Sequence, residues 1–342
     1  MAYTTIAKPN QYFNTKLYTG NATGRTISGV GFQPDWTWIK NRSDTSGHRL
    51  LDAVRGGTKE LIANGTNAEI TEAQSLQSWN SDGFVLGTAA GVNANTNNFV
   101  AWNWLANGAG SSNTDGSYTS TVSASTTSGF SIVKFTGTGS DGSVGHGLGV
   151  TPSMIIVKNL DGTTSWTCYH KSLGTSAYIQ LNTTNASASA SGYWGTVDSN
   201  SFGVTSGHTT LANNYIAYCF AEKKGFSKFV SYTGNGSSTD GAFVYTGFKP
   251  AFVLVKNTTT SGYSWPITDN KRETFNDGAN SVIWANHDTP EDTNAYDMNF
   301  FSNGFKINTA SNNFNQSGAT YIYMAFAENP IVTTDGLPAT AR

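Results

Sequence analysis

The chain has 342 residues, of which 12% are charged, and its formal net charge at pH 7 is −2. This charged fraction lies well below the roughly 25% of ordinary globular chains, and without a basic excess it argues against a nucleic-acid or anionic-membrane partner. No apolar stretch approaches the ~18 residues of a membrane-spanning helix, and the first residues lack the basic and apolar regions of a signal peptide. We therefore expect a chain that folds in a cytoplasm, does not insert into a membrane and needs no cofactor.

The predicted elements begin with a strand that ends at the sequence Tyr-Thr-Gly-Asn, residues 18–21. A short aromatic and β-branched run follows in residues 31–41, bounded by a Gly and a Pro on one side and a Lys-Asn pair on the other, which is typical of a strand. Residues 46–61 are the one helix candidate, because Leu50 and Val54 have helical spacing ahead of two glycines.

The strand block at 31–41 occurs three times in the chain. It returns at 149–159 and at 247–257, with the Gly, Pro, Lys and Asn at the same spacing in every copy. An ordered recurrence of this kind predicts that the chain consists of three tandem copies of one unit.

Two further blocks follow the Lys-Asn pair in each copy, in the same order. The first contains a Phe among turn residues, and the second is a strand-like run with a large apolar face. In the first, second and third copy these two blocks are, in turn, Phe84 and residues 98–104, Phe202 and residues 214–222, and Phe305 and residues 321–328.

The repeat sets the expected domain boundaries. We predict a first copy at 1–108, a Gly/Ser/Thr-rich linker at 109–128, a second copy at 129–224, a third copy at 225–329 and a polar C-terminal tail at 330–342. The second and third copies are joined with almost no linker, so we expect them to hold a fixed mutual orientation.

The pattern of faces gives the fold class. In the repeated strand Trp36 and Trp38 share one face, while Thr37 and Ile39 share the other, and both faces are largely apolar. This suits an inner strand of a packed sandwich. We therefore predict an all-β protein of three tandem antiparallel β-sandwich repeats, jelly-roll or lectin-like, each of about 100 residues.

Chemistry-bearing residues are few. No His and Cys spacing matches a metal site, and we predict neither a metal site nor catalytic residues. Cys168 and Cys219 are expected to be reduced, packed thiols. Asp288, Glu291 and Asp292 are compatible with a calcium site or a carboxylate pair, but a solvated loop is the simpler interpretation.

The repeated lysines Lys40, Lys158 and Lys256 end a core strand in each copy. We interpret them as structural, with the stem packed and the ammonium group against a carbonyl or carboxylate. His48, next to Arg49, is interpreted as part of a surface turn.

Aromatic residues outside the repeated blocks are the best candidates for binding, because flat rings on the loops of a rigid sandwich are suited to stacking on sugars. The competing interpretation is that these side chains complete each core. The five candidates for glycan or partner contact are Trp166, Tyr193, Trp194, Trp265 and Trp284.

The first copy and the chain end carry a recognisable series of motifs. They are Tyr-Thr-Gly-Asn at 18–21, Gly-Phe-x-Pro-Asp-Trp-x-Trp-Ile-Lys-Asn-Arg at 31–42, Asp-Ala-Val-Arg-Gly at 52–56, Ser-Asp-Gly-Phe at 81–84, Val-Asn-Ala-Asn at 92–95, Val-Ala-Trp-Asn-Trp at 100–104 and Gly-Leu-Pro-Ala-Thr-Ala-Arg at 336–342. This series resembles a repeat of virion-associated proteins of marine tailed bacteriophages. The other copies depart from it, with Met154 and Phe252 where the first has Trp36. The resemblance implies a structural protein of tail or surface type and names no catalytic residues.

Three functions follow as hypotheses. The first is a non-enzymatic virion component, a tail fibre, appendage or capsid decoration, that is made in the host cytoplasm and acts by assembly and adhesion. Its partners would be other virion proteins and further copies of itself, with a homotrimer favoured. The alternative is a receptor-binding protein that recognises host surface glycan. The lesser alternative is a glycan depolymerase, which would need a carboxylate pair in a cleft.

Overall fold

The computed structural model describes residues 4–206, 209–272 and 280–327. These residues confirm the predicted all-β class: they form several antiparallel sheets, and none of these sheets is closed. The tail predicted at 330–342 lies outside the described residues.

The first part of the chain forms a six-stranded sheet in the order β1-β9-β3-β4-β5-β6 and a three-stranded sheet in the order β2-β8-β7. A 3-10 turn at Pro9–Gln11 precedes β1, and a one-turn helix α1 at Ala90–Asn93 precedes β9. The strands are β1 (Phe13–Thr19), β2 (Arg25–Ser28), β3 (Trp36–Asn41), β4 (Arg49–Asp52), β5 (Lys59–Ile62), β6 (Ile70–Thr71), β7 (Leu76–Asn80), β8 (Gly83–Leu86) and β9 (Asn98–Trp104).

The middle part forms an eight-stranded sheet in the order β10-β11-β12-β19-β14-β15-β16-β17 and a two-stranded sheet of β13 and β18. The strands are β10 (Ser111–Asn113), β11 (Ser120–Ser125), β12 (Phe130–Thr136), β13 (Gly142–Gly145), β14 (Met154–Asn159), β15 (Thr167–His170), β16 (Ala177–Gln180), β17 (Ala188–Ser189), β18 (Ser201–Val204) and β19 (Asn214–Phe220).

The last part forms a seven-stranded sheet in the order β20-β29-β23-β24-β25-β26, in which β21 also pairs with β29, and a three-stranded sheet in the order β22-β28-β27. The strands are β20 (Ser227–Lys228), β21 (Ser231–Thr233), β22 (Phe243–Tyr245), β23 (Pro250–Asn257), β24 (Pro266–Asp269), β25 (Asn280–Trp284), β26 (Asp292–Tyr296), β27 (Met298–Phe301), β28 (Gly304–Ile307) and β29 (Thr320–Ala327).

The three large sheets share one strand order. The repeated Lys-Asn block forms β3, β14 and β23, and each of these strands pairs with the strand of the closing block on one side and a short hairpin strand on the other. The register also agrees: Trp36 pairs with Trp104, Met154 with Phe220, and Phe252 with Phe326. Positions that match in this register are called equivalent below.

The helix predicted in residues 46–61 is wrong. The segment contains β4 and β5, and β4 pairs with the core strand β3 from Arg49 to Asp52. Leu50 and Leu51 are both fully buried although they are neighbours, because successive side chains of a strand point to opposite faces and both faces of this sheet are covered. Because both leucines can be buried at once in a covered strand, the segment forms a strand despite the helical spacing of Leu50 and Val54.

The segment 109–128, expected as a linker, is built into the second large sheet. It contains β10 and β11, and β11 pairs with β12 over its full length. Tyr118 and Val122 are buried, and both belong to the core between the second large sheet and its small sheet. Val122 thus anchors a Ser/Thr-rich strand in this core, and both Thr and Val favour β-structure.

Each small sheet packs against one face of a large sheet. The repeated Phe84, Phe202 and Phe305 of the small sheets are fully buried between the two layers. Ile39 of the first large sheet shares one such core with Phe84, and Ile155 of the second shares another with Phe202.

The opposite faces of the three large sheets meet in one aromatic core. Trp36 of the first sheet lies 4.5 Å from Tyr218 of the second, Phe220 of the second lies 6.0 Å from Phe326 of the third, and Phe326 lies 5.0 Å from Phe13 of the first, between ring centroids. The contacts run from each sheet to both others. The chain therefore folds around a shared centre and not as a row of separate units.

Candidate functional site

The indoles proposed for glycan contact do not lie on the surface. Trp166 and Trp194 are 0% exposed, Trp265 is 1% exposed and Trp284 is 9% exposed. A ring that is closed off by protein on both faces cannot stack on a sugar, so these four residues form no surface platform. The interpretation that they complete the cores describes their position.

Two of these indoles belong to a ring of hydrogen bonds between the large sheets. The Trp166 indole N–H donates to the carbonyl of Ile62 at 2.9 Å, and that of Trp265 donates to the carbonyl of Gln180 at 3.0 Å. His48, at the equivalent position, contacts the carbonyl of Trp284 through Nε2 at 3.1 Å. The second sheet thus bonds to the first, the third to the second and the first to the third.

His48 is therefore not part of a surface turn but is fully buried. The Trp38 indole N–H donates to His48 Nδ1 at 2.8 Å, which leaves Nε2 as the protonated nitrogen that donates to the Trp284 carbonyl. Burial, with a smaller contribution from Lys40, holds the pKa of His48 well below its usual value. The neutral imidazole does at this position what an indole does at the other two.

The prediction for the repeated lysines is confirmed. Lys40, Lys158 and Lys256 are fully buried, and each ammonium group donates to backbone carbonyls. Lys40 also donates to the carbonyl of Asp288 at 3.2 Å, and Lys158 to that of Thr66 at 3.2 Å, so both bonds cross between large sheets. Burial lowers the pKa of Lys40 and Lys158 to about 8 and that of Lys256 to about 7.

Of the three carboxylates near position 290, Asp288 is exposed as expected for a solvated loop, whereas Glu291 is held in ion pairs. Glu291 pairs with Arg42 of the first sheet at 2.7 Å and with Arg272 at 2.6 Å, and it is 9% exposed. Arg272 also pairs with the buried Asp269 at 2.7 Å. Burial opposes ionisation of Asp269, yet the guanidinium holds its pKa below the usual value. These charges tie the first and third sheets together.

The thiols behave as predicted. Cys168 and Cys219 are free and fully buried, and burial raises the pKa of both. Within residues 4–206, 209–272 and 280–327 no group of His, Cys, Asp and Glu is placed to hold a metal ion, and no helix is long and apolar enough to cross a membrane.

The fifth candidate, Tyr193, lies at a pocket on the outer face of the second large sheet. The pocket has a volume of about 260 Å³. Tyr193 is half-buried and stacks on Tyr178, with ring centroids 4.4 Å apart and an interplanar angle of 20°. The pocket is lined by Val157, Asn159, Thr164, Ser165, Thr167, Gln180, Tyr193, Thr210 and Tyr215.

The lining of this pocket is mostly polar and includes no charged side chain. Gln180 provides an amide, and Thr164, Ser165 and Thr167 provide hydroxyl groups beside the ring of Tyr193. Neutral donors and acceptors next to an aromatic ring suit a neutral polyhydroxylated ligand of the size of one sugar unit. We call this the Tyr193 pocket.

Sequence reasoning found Tyr193 but missed the other polar residues of the pocket. Asn159 was visible as the Asn of the repeated block, and the structure gives that Asn a turn-forming role: its side-chain oxygen accepts the backbone N–H groups of Asp161 and Gly162. Asn41 and Asn257 do the same in the other two sheets. The recurrence of Asn thus reflects a turn, and it carried no signal for a pocket.

A family model described as a domain of unknown function, DUF7483, matches residues 8–330. The chain belongs to this family. No curated protein and no solved structure matches the chain.

Proposed function

We propose that this DUF7483 protein is a structural component of a bacteriophage virion, a tail fibre, appendage or capsid decoration protein that acts by assembly and adhesion without catalysis. The motif series of the first copy supports a location in the virion, because it resembles a repeat of virion-associated proteins. The proposal includes three tandem β-sandwich repeats of jelly-roll or lectin type at 1–108, 129–224 and 225–329.

The observation that carries the proposal is the use of buried polar groups as connections between sheets. His48, Trp166 and Trp265 bond each large sheet to the next, and the buried lysines and the Glu291 ion pairs add further crossings. A body held together in this way is rigid, and rigidity is what a particle component needs under mechanical load. Its partners in this proposal are other virion proteins and further copies of itself, with a trimer favoured.

Immunogold labelling of intact virus particles with an antibody against this protein tests the proposal. Gold at the tail or fibre tips supports an adhesion component, and gold spread over the capsid supports a decoration protein. Particles that bind no gold, while a known capsid protein is labelled in the same sample, would overturn it.

A second candidate function, recognition of host surface glycan, is favoured by the Tyr193 pocket. Its neutral polar lining and half-buried aromatic ring suit a sugar better than a charged ligand. We expect Tyr193→Ala to abolish binding on a glycan array, while Tyr12→Ala, a change in another half-buried tyrosine far from the pocket in sequence, leaves it unchanged. An array without a single hit for the wild-type protein would count against this function.

A further inference from the structure

The small sheet of the last part of the chain presents aromatic side chains to solvent. Phe243 and Tyr245 of β22 are 48% and 60% exposed, because the alternation of the strand buries Val244 between them. Phe301 of β27 is partly exposed on the same face, and its ring centroid lies 6.1 Å from that of Phe243. Tyr245 and Phe301 both pair with Gly304, which stands between them. We call Phe243, Tyr245 and Phe301 the aromatic face.

The other two small sheets show that the fold does not require this face. In the first small sheet Ile27 pairs with Phe84 as Val244 pairs with Phe305, so Thr26 and Ser28 are equivalent to Phe243 and Tyr245. Thr26 and Ser28 are exposed polar residues.

The second small sheet agrees. Val144 pairs with Phe202, and its neighbours in β13 are Ser143 and Gly145. Both other small sheets therefore have small or polar residues at these positions, although in the second sheet Asn113 and Asp115 cover Gly145. Exposed aromatic residues gain no burial energy, so their presence in the third sheet points to a ligand.

We propose that the aromatic face binds the apolar C–H side of a pyranose ring in a host surface glycan. This inference rests on the adhesion part of the proposed function and places a sugar contact at a position distinct from the Tyr193 pocket. The rings of Phe243, Tyr245 and Phe301 provide the stacking surface, and Gly304 has no side chain, so the Phe243 ring packs over it.

Polar groups at the rim fit the same ligand. Lys306, which pairs with Phe243 in the sheet, holds the carboxylate of Asp240 at 2.7 Å, and the Asp240 side chain is 88% exposed. The hydrogen bond from Lys306 lowers the pKa of Asp240, so the carboxylate is ionised at neutral pH. An exposed carboxylate beside aromatic rings can accept hydrogen bonds from sugar hydroxyl groups.

The size of the aromatic face favours a sugar over a protein partner. Phe243 and Tyr245 are about half exposed and Phe301 is less exposed, so the three rings offer at most about 300 Å², taking roughly 200 Å² for a whole aromatic side chain. Each partner in a stable protein interface buries about 800 Å². An area of about 300 Å² is close to what one or two sugar rings cover.

Saturation-transfer NMR on the full-length protein, with methyl pyranosides of glucose, galactose, mannose and N-acetylglucosamine as probes, tests the proposal. We expect transfer to the ring C–H protons of at least one probe, and about tenfold weaker binding in Tyr245→Ala and in Phe301→Ala, because each loses a stacking ring. Tyr245→Phe keeps the ring and is expected to bind within about twofold of the wild type. Ile70→Ala, which removes a 45% exposed apolar side chain elsewhere, is the matched control.

Two results would overturn the proposal: no transfer to any probe, or equal losses in Tyr245→Ala and Ile70→Ala. A change in sedimentation coefficient in Tyr245→Ala without loss of sugar binding would assign the face to a protein contact instead. Gold labelling of particles without sugar binding would leave the virion proposal standing and remove this inference. Sugar binding without gold labelling would leave this inference standing and remove the virion proposal.

Discussion

His170 occupies a position where the other two large sheets have an aspartate. It pairs with Met154, just as Asp52 pairs with Trp36 and Asp269 with Phe252. Asp52 and Asp269 each bind an arginine three residues later, Arg55 and Arg272, while the residue three positions after His170 is Leu173. Without a guanidinium a buried carboxylate would be unpaired, and an unpaired buried charge is costly.

The residue of the neighbouring large sheet that faces this position also differs between the three sheets. The Tyr218 hydroxyl donates to Asp52 at 2.8 Å, and the Trp102 indole N–H donates to Asp269 at 3.0 Å. The equivalent residue in the third sheet is Met324, which has no donor. Burial lowers the pKa of His170 to about 4, so this position is neutral where donor and arginine are both missing.

The repeated buried lysines predict an unusual pH dependence. In the unfolded chain a lysine titrates near 10.4, whereas burial lowers the pKa of Lys256 to about 7 in the fold. Between these values the unfolded state binds more protons, so the unfolding free energy rises with pH, for Lys256 by on the order of 1–3 kcal/mol from pH 6.5 to pH 9.5. Urea titrations at these two pH values measure the rise.

The matched variants separate the lysine from other titrating groups. Lys256→Met removes the buried ammonium group and is expected to reduce the rise, leaving the part due to Lys40 and Lys158, while Lys8→Met, at an exposed position, keeps the wild-type rise. The interpretation fails if Lys256→Met and the wild type gain the same free energy over this pH range.

At the scale of elements, the sequence predicted the core strands but not the peripheral ones. The three Lys-Asn blocks and the closing blocks have apolar residues on both faces, and they form the central strands β3, β14, β23, β9, β19 and β29. Strand β4 is so short that its apolar pattern cannot be distinguished from one turn of a helix. Strand β11 is mostly Ser and Thr, so its composition cannot be distinguished from that of a linker. Their strand state depends on pairing with a neighbour, which is a tertiary contact.

The candidate site was harder to predict for a related reason. Trp166 and Trp265 precede short strands that are covered on both sides, and Tyr245 lies on a strand covered on one side only. A sequence alone does not tell how many layers cover a strand. Trp166 and Trp265 were therefore identified as binding candidates although they are buried, while the exposed Tyr245 was not singled out.

The structural role of 109–128 predicts different effects at neighbouring positions of β11. Val122 is 7% exposed and packs in the core between the second large sheet and its small sheet, so Val122→Asp is expected to cost on the order of 3 kcal/mol of unfolding free energy. Thr121 points to the other face, and Thr121→Asp is expected to change stability by about 0.5 kcal/mol or less. Chemical denaturation of both variants provides the measurement. Equal, small effects would mean that the segment is a linker after all.

For the whole molecule, the shared aromatic core predicts that the three large sheets unfold together. Phe220 contacts Trp36, Trp104 and Phe326, which belong to the other two sheets. Phe220→Ala is expected to cost about 3–5 kcal/mol, because it removes a large buried ring and leaves a cavity. Hydrogen exchange should accelerate in β9 and β29 as much as in β19.

A variant of a peripheral core provides the contrast. Ile27 is 2% exposed and lies between the first large sheet and its small sheet, away from the shared core. Ile27→Ala should accelerate exchange mainly in β2 and β8. Faster exchange of the second large sheet alone in Phe220→Ala would show that the sheets unfold independently.

The stacking of Phe13 on Phe326 brings the first and last strands of the described chain against each other. Each large sheet therefore contacts both others, and the third contacts the first as the first contacts the second. This closed arrangement in space does not determine which sheet comes first along the polypeptide. A circular permutant that links β29 back to β1 and opens the chain between Lys224 and Gly225 would keep the contacts among the large sheets. In the same geometry, three separate chains, each with one large sheet and its small sheet, would assemble into the body that this single polypeptide forms alone.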